Sequence, residues 1–139
     1  MERLLSSPAQ VLVIDDDPVV TDTFARALRT EGYQVRTAGN AQSGLAEAER
    51  LRPDVIFLDL RMPLVDGLDV LRRLRARDDS RQTAVAIVTG DYFLTDDVAS
   101  ELGSLGAKLV FKPVWLEELV GLAYVLLADA RKSAAPSPA

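Results

Sequence analysis

Continuous apolar runs alternate with amphipathic stretches along the whole chain. Val11-Leu-Val-Ile14, Val55-Ile-Phe-Leu58 and Ala84-Val-Ala-Ile-Val88 are unbroken and rich in β-branched side chains. Runs of this length, bounded by turn residues, suit strands buried on both faces. Val35 to Ala38 predicts a weaker strand, and Lys108 to Phe111 a fifth. Between the runs, apolar residues recur at helical spacing. Val20, Phe24 and Leu28 mark one helix, with Asp17 as its cap, Pro18 at its first position and Gly32 as its stop. Asn40 caps a helix through Arg50, with Ala41, Leu45 and Ala48 facing inward. Leu68, Leu71 and Leu74 form the buried side of a helix from Val65 to Arg77. Thr95, followed by Asp96 and Asp97, starts a helix that Gly103 weakens and Gly106 ends. The last helix runs from Trp115 to Lys132, with a core stripe of Leu116, Leu119, Val120, Ala123 and Leu127.

Strand and helix thus alternate five times, which predicts an α/β domain over residues 10–132 with a parallel sheet covered on both faces. Residues 1–9 are expected to be a flexible N-terminus, and the Pro- and Ser-containing residues 133–139 a disordered tail. With 139 residues, the chain is long enough for one domain with a real core.

Charge and composition narrow the chemistry. The net charge of -5 argues against an electrostatic nucleic-acid footprint. Arg72, Arg73, Arg75 and Arg77 are expected to be a solvated helix face. The chain has no cysteine and no histidine, which excludes disulfides, thiolate nucleophiles, Ser-His-Asp triads and the usual zinc sites. The longest apolar run, Leu119 to Ala128, is shorter than the roughly 20 residues a membrane span needs. The first residues lack a signal pattern, so a cytoplasmic location is expected.

What remains is carboxylates, hydroxyls and lysine, and these collect at the strand ends. Asp15 and Asp16 follow the first strand, Asp59 ends the third, Thr89 the fourth, and Lys112 follows the fifth. The second strand ends in Ala38-Gly39, as an edge strand outside a site would. Open parallel sheets build their sites beyond these carboxyl ends. Three adjacent carboxylates repel unless protonated or bridged by a cation, and a hard divalent ion such as Mg²⁺ suits oxygen ligands. Lys112 adds a fixed positive charge and Thr89 a hydroxyl donor. Together they can cradle a phosphoryl group on a nucleophilic carboxylate. Each residue alone has a plainer role: a cap for Asp17, a backbone-bonded hydroxyl for Thr89, a surface lysine for Lys112. Their shared placement is what separates them from that background.

On these residues the chain resembles the receiver domain of two-component response regulators over essentially its whole length. The matching features are Asp15-Asp16, the motif Asp59-Leu-Arg-Met-Pro-Leu-Val-Asp-Gly67, Thr89 and Lys112-Pro113, in order. The resemblance implies a flavodoxin-like, doubly wound (βα)5 sheet of strand order 2-1-3-4-5. It implies that Asp59 accepts phosphate from a phosphohistidine on a sensor histidine kinase or phosphotransfer protein. It makes Asp16 the principal Mg²⁺ ligand, assisted by Asp15 through water, with Asp59 and the Arg61 backbone carbonyl completing the protein's share. Thr89 and Lys112 then contact the phosphoryl oxygens, and the Lys112-Pro113 bond is expected to be cis. Such a domain is a phosphoprotein switch, not an enzyme with a released product, and catalyses only its own phosphorylation and dephosphorylation.

One departure and one pair of positions qualify the resemblance. Where the family carries an aromatic residue three positions before the lysine, this chain has Leu109, and Tyr92 or Phe93 is the candidate to take over part of its role. Arg61 and Asp91 lie two residues past Asp59 and Thr89. They form either a pair that hinders an attacking water or an exposed pair worth under about 1 kcal/mol.

Downstream contact, with another protein or a second copy, is expected at the face of the last two helices and the fifth strand. No nucleic-acid or membrane contact is expected, and no room is seen for an output domain after Lys132. The chain reads either as a stand-alone receiver or as a piece of a longer regulator. An alternative function uses Asp15-x-Asp17-x-Val19 as the opening motif of a haloacid-dehalogenase-type phosphohydrolase, with Asp15 as nucleophile and Asp17 as general acid. Flavodoxin-like cofactor binding is weaker still, because the chain lacks a hydroxyl- and glycine-rich phosphate loop after the first strand.

Overall fold

Each of the five expected strands forms in the computed structural model, which describes residues 8–134. The strands are β1 (Gln10–Ile14), β2 (Gln34–Ala38), β3 (Val55–Asp59), β4 (Ala84–Thr89) and β5 (Lys108–Phe111). All neighbours pair in parallel, in the order β2-β1-β3-β4-β5. Between and after them lie α1 (Pro18–Thr30), α2 (Ala41–Leu51), α3 (Gly67–Ala76), α4 (Asp96–Ser104) and α5 (Leu116–Ala134). The flavodoxin-like arrangement implied by the sequence is therefore the observed one. The expected flexible N-terminus and disordered tail fall, for residues 1–7 and 135–139, outside the described residues.

Side-chain alternation along the strands divides the core in two. Leu12, Ile14, Ile56, Leu58 and Ile87 face α2, α3 and α4, where Ala48, Leu71, Leu74 and Leu102 meet them. Val11, Val13, Val55, Phe57 and Val88 face α1 and α5, packing on Phe24, Leu28, Leu119 and Ala123. All five residues of β3 are buried, which accounts for its unbroken apolar sequence. Phe24 meets Phe57 edge-on, with ring centroids 6.3 Å apart.

Helix starts follow the capping chemistry. Asp17 accepts from the Val19 amide at 2.9 Å, Asn40 from Ser43 at 2.8 Å and Thr95 from Val98 at 3.2 Å. The third helix begins two residues later than expected, because Asp66 is its cap and accepts from the Asp69 amide at 3.1 Å. The stripe of α5 is also shifted. Leu119, Ala123 and Leu126 are buried, whereas Leu116 is exposed and Val120 and Leu127 are half-buried.

The arginine-rich face of α3 is not simply solvated. Arg75 is half-buried, and its guanidinium donates to the carbonyls of Leu105 (2.7 Å), Thr83 (2.7 Å) and Ser80 (3.1 Å). It ties the end of α3 to the carbonyl end of α4. Arg72 bridges Asp69 and Glu101, joining the same two helices at the surface.

One contact links the fold directly to the strand ends. The Gly67 amide donates to the Leu60 carbonyl at 2.7 Å, folding the start of α3 against β3. A Cβ at Gly67 would lie 2.3 Å from the Asp59 carbonyl oxygen and 2.8 Å from the Leu60 Cα. Backbone stands on both sides of that clash, so neither side yields cheaply. Gly67→Ala is expected to lower stability by about 2 kcal/mol, as overpacking does elsewhere. A urea-unfolding midpoint equal to that of the wild type would show that the loop accommodates the methyl group.

Candidate functional site

Strand register sets the site. Ile14 pairs with Leu58, so the next residues, Asp15 and Asp59, leave neighbouring central strands side by side. Alternation turns both toward the α1–α5 side of the sheet, that of Val13 and Phe57. Both carboxylates are buried, at 3% and 5% exposure, while Asp16 is exposed at the rim. One carboxylate oxygen from each of Asp15, Asp16 and Asp59 lies within 4.8 Å of the others.

The compensating charge comes from β5. Lys112 reaches across the strand ends to Asp15 at 2.9 Å and stands 3.7 Å from Asp59. Asp15 is further fixed by the Asp17 amide, which donates to it at 2.9 Å. Burial alone would lower the Lys112 pKa, but the hydrogen bond that the ammonium donates to Asp15 and the charges of Asp15 and Asp59 outweigh it and raise the value. Asp59 fares differently. Burial, then the Asp15 charge, push its pKa up to about 6, against the opposing pull of Lys112 and the Arg61 backbone amide. One ammonium does not neutralise three carboxylates, and Asp59 carries the deficit.

Thr89 is fully buried at the end of β4, and its hydroxyl oxygen accepts from the Asp91 amide at 3.1 Å. Its carbonyl accepts from the Lys112 amide at 2.8 Å, which joins it to the lysine through the backbone. The structure thus brings Asp15, Asp16, Asp59 and Lys112 together directly and sets Thr89 against the lysine's main chain. Lys112-Pro113 is cis. Arg61 and Asp91 do form a pair, at 2.8 Å. Arg61 is half-exposed, so solvent screens the pair.

Three hard carboxylate donors beside a single ammonium fit a hard divalent cation. The phosphohydrolase alternative finds no support. Lys112 and the Asp17 amide engage the two oxygens that Asp15 would attack with, and the Asp17 carboxylate is the cap of α1.

Sequence reasoning missed two residues that shape the site. Gly67 abuts the Asp59 backbone, and Phe111 stacks under Tyr92 at the end of β5. The glycine had a visible signal, its place one residue after a capping aspartate. The phenylalanine had none, since its partner lies on another loop.

Comparison with known proteins places these features in a family. The family model "Response regulator receiver domain" matches residues 11–123. The chain is similar to the "Probable transcriptional regulatory protein TcrX" of Mycobacterium tuberculosis, with 40% identity over 120 residues, covering 86% of this chain and 50% of the relative. It is also similar to the "Transcriptional regulatory protein PrrA" of Mycobacterium leprae, with 39% identity over 127 residues, 91% of this chain and 53% of the relative. The chain therefore spans about half the length of these relatives. Among solved structures, a CheY-like receiver domain protein from Methanospirillum hungatei superposes with a TM-score of 0.84 at 25% identity, over 91% of this chain and 99% of that one.

The elevated pKa of Asp59 has a consequence for stability. In the unfolded chain this carboxyl ionises at the ordinary aspartate value of 3.8, whereas the native protein holds the proton up to about pH 6. The native state thus binds more protons in that window, so stability falls as pH rises through it. In metal-free buffer at pH 7, Asp59→Asn is expected to be more stable than the wild type by about 2–3 kcal/mol. The gap should close as pH falls from about 6 to about 4. Denaturant titrations across that range check it, and a pH-independent gap would contradict the assignment.

Proposed function

The chain belongs to the response regulator receiver domain family of two-component signal transduction, and on that premise we propose that Asp59 is its phosphoacceptor. The observation that carries this reading is the position of the Lys112 ammonium between Asp15 and Asp59, at the ends of the central strands. A carboxylate held there has a donor for the phosphoryl oxygens on one side and oxygen ligands for a cation on the other.

An Asp59 carboxylate oxygen attacks the phosphorus of a phosphohistidine. The N–P bond breaks, the electron pair leaves with the imidazole, and an acyl phosphate forms on Asp59. Lys112 binds a phosphoryl oxygen and moves part of its charge from Asp59 to the new group. Thr89 keeps its own proton for a phosphoryl oxygen, because in the present state its hydroxyl accepts from the Asp91 amide. Asp15, Asp16, Asp59 and the Arg61 backbone carbonyl would hold Mg²⁺, which neutralises charge on the incoming phosphoryl oxygens. Asp16 would be its principal ligand, with Asp15 assisting.

Response regulators pair with histidine kinases, and the surface here supports a protein donor. Val19, Leu64, Phe93, Trp115 and Leu116 are exposed large apolar residues, and all lie in segments that follow strand ends carrying the chemistry. An apolar collar around a charged site suits a folded partner better than a small phosphate ester. A sensor kinase and a phosphotransfer protein would both present histidine in that way.

The family is not one of classical enzymes, and the output proposed here is a conformational change. That change would be read by another protein or a second copy at the α4-β5-α5 face. The expectation of no nucleic-acid contact applies to the acidic domain itself, since the relatives that it half covers bear the names of transcriptional regulators. Among the described residues no helix is long and apolar enough to cross a membrane, and a cytoplasmic setting is proposed, where phosphohistidine donors operate.

Incubation with Mg²⁺ and acetyl phosphate, followed by phosphosite mapping, tests the assignment. The modification is expected on Asp59 and absent in Asp59→Asn. Equal modification of the variant, or phosphate on Asp15, would overturn it.

A further inference from the structure

Taking Asp59 as the phosphoacceptor, we infer that Tyr92 is a positioning residue for Lys112 and the latch that fastens the β4–α4 loop to the end of β5. Tyr92 lies three residues after Thr89, in the loop between β4 and α4. Its ring stacks on Phe111, with centroids 5.5 Å apart and planes 25° from parallel. Its hydroxyl donates to the backbone carbonyl of Lys112. The Lys112 amide, in turn, donates to the Thr89 carbonyl at 2.8 Å. The peptide units on both sides of the Lys112 Cα are therefore held by one segment, through Thr89 and through Tyr92. That clamp sets the origin from which the side chain reaches Asp15 and Asp59.

The two rings do little for the core. Tyr92 is 59% exposed and Phe111 40%, and neither belongs to the buried clusters. Leu109, which precedes Phe111 on the same side of β5, packs against the cluster under α4 and fills the space beneath. An ordered stack at the surface, carrying a hydroxyl onto the backbone of a site residue, serves geometry more than burial. Phe93 makes no comparable contact: it is 90% exposed, and its amide donates to the Asp91 carboxylate at 2.9 Å. The same loop is tied on its other side by Asp91 to Arg61. Loop 90–95 is thus anchored to two strand ends, and its Asp91 amide also donates to the Thr89 hydroxyl.

The test compares the wild type, Tyr92→Phe and Tyr92→Ala in two measurements: the rate of phosphorylation by acetyl phosphate in Mg²⁺, and amide hydrogen exchange over residues 90–95 without donor. Tyr92→Phe keeps the stack and loses the hydroxyl. It is expected to reduce the maximal rate about fivefold, the factor one intramolecular hydrogen bond supplies, with donor half-saturation unchanged. It should also speed exchange in the loop, and Tyr92→Ala should do more of both. If Tyr92→Phe matches the wild type in maximal rate or in loop exchange, the proposal is overturned. Absence of phosphate on wild-type Asp59 would instead defeat the phosphoacceptor assignment, and the loop exchange, which needs no phosphate, would then decide the latch alone.

Discussion

The ammonium of Lys112, set between two buried carboxylates, is the interaction on which the site depends. Asp15 and Asp59 are both nearly inaccessible to water, and a buried carboxylate without compensation is expensive. Lys112 gives Asp15 a full hydrogen-bonded partner at 2.9 Å and Asp59 only a longer contact at 3.7 Å. The unequal division leaves Asp15 anchored and Asp59 underserved. Asp59 is consequently the carboxylate with most to gain from a cation or from conversion to an acyl phosphate. The same imbalance sets Asp59 apart from Asp15, on which the proposal of Asp59 as phosphoacceptor rests.

The surrounding structure serves to hold that imbalance in place. The register of β1 against β3 sets the two carboxylates side by side, and the pairing of β4 with β5 brings the lysine within reach. Gly67 lets α3 start directly against the Asp59 backbone. On the opposite side, the loop after β4 touches Arg61 through Asp91 and Lys112 through Tyr92. Chemistry at the strand ends is in this way connected to two surface loops without passing through the core.

Much of this was legible in the residues because burial on both faces forces an unbroken apolar strand, so that any polar residue at its tip stands out. Asp15, Asp59 and Thr89 were visible for that reason, Lys112 by its place after the fifth run, and the edge strand β2 by its lack of a polar tip. The sequence was less informative where several residues of one kind compete for one place. Three arginines on α3 and a fourth just past its end look alike, yet only Arg75 faces the carbonyl end of α4, which depends on where α4 ends. On α5, apolar residues cover most of the circumference, so the choice of Leu126 over Leu116 for the core is fixed by how the helix lies on β3 and β4. Between Tyr92 and Phe93, the decision rests on Phe111, a residue of another element.

If an uncompensated carboxylate trio is the organising feature, Mg²⁺ should stabilise the protein chiefly through Asp59. The most direct measurement is equilibrium unfolding at neutral pH with increasing Mg²⁺, for the wild type and Asp59→Asn side by side. The account predicts a clear Mg²⁺-dependent gain in the wild type and a much smaller one in the variant. An equal gain in both, or none in the wild type, would contradict it.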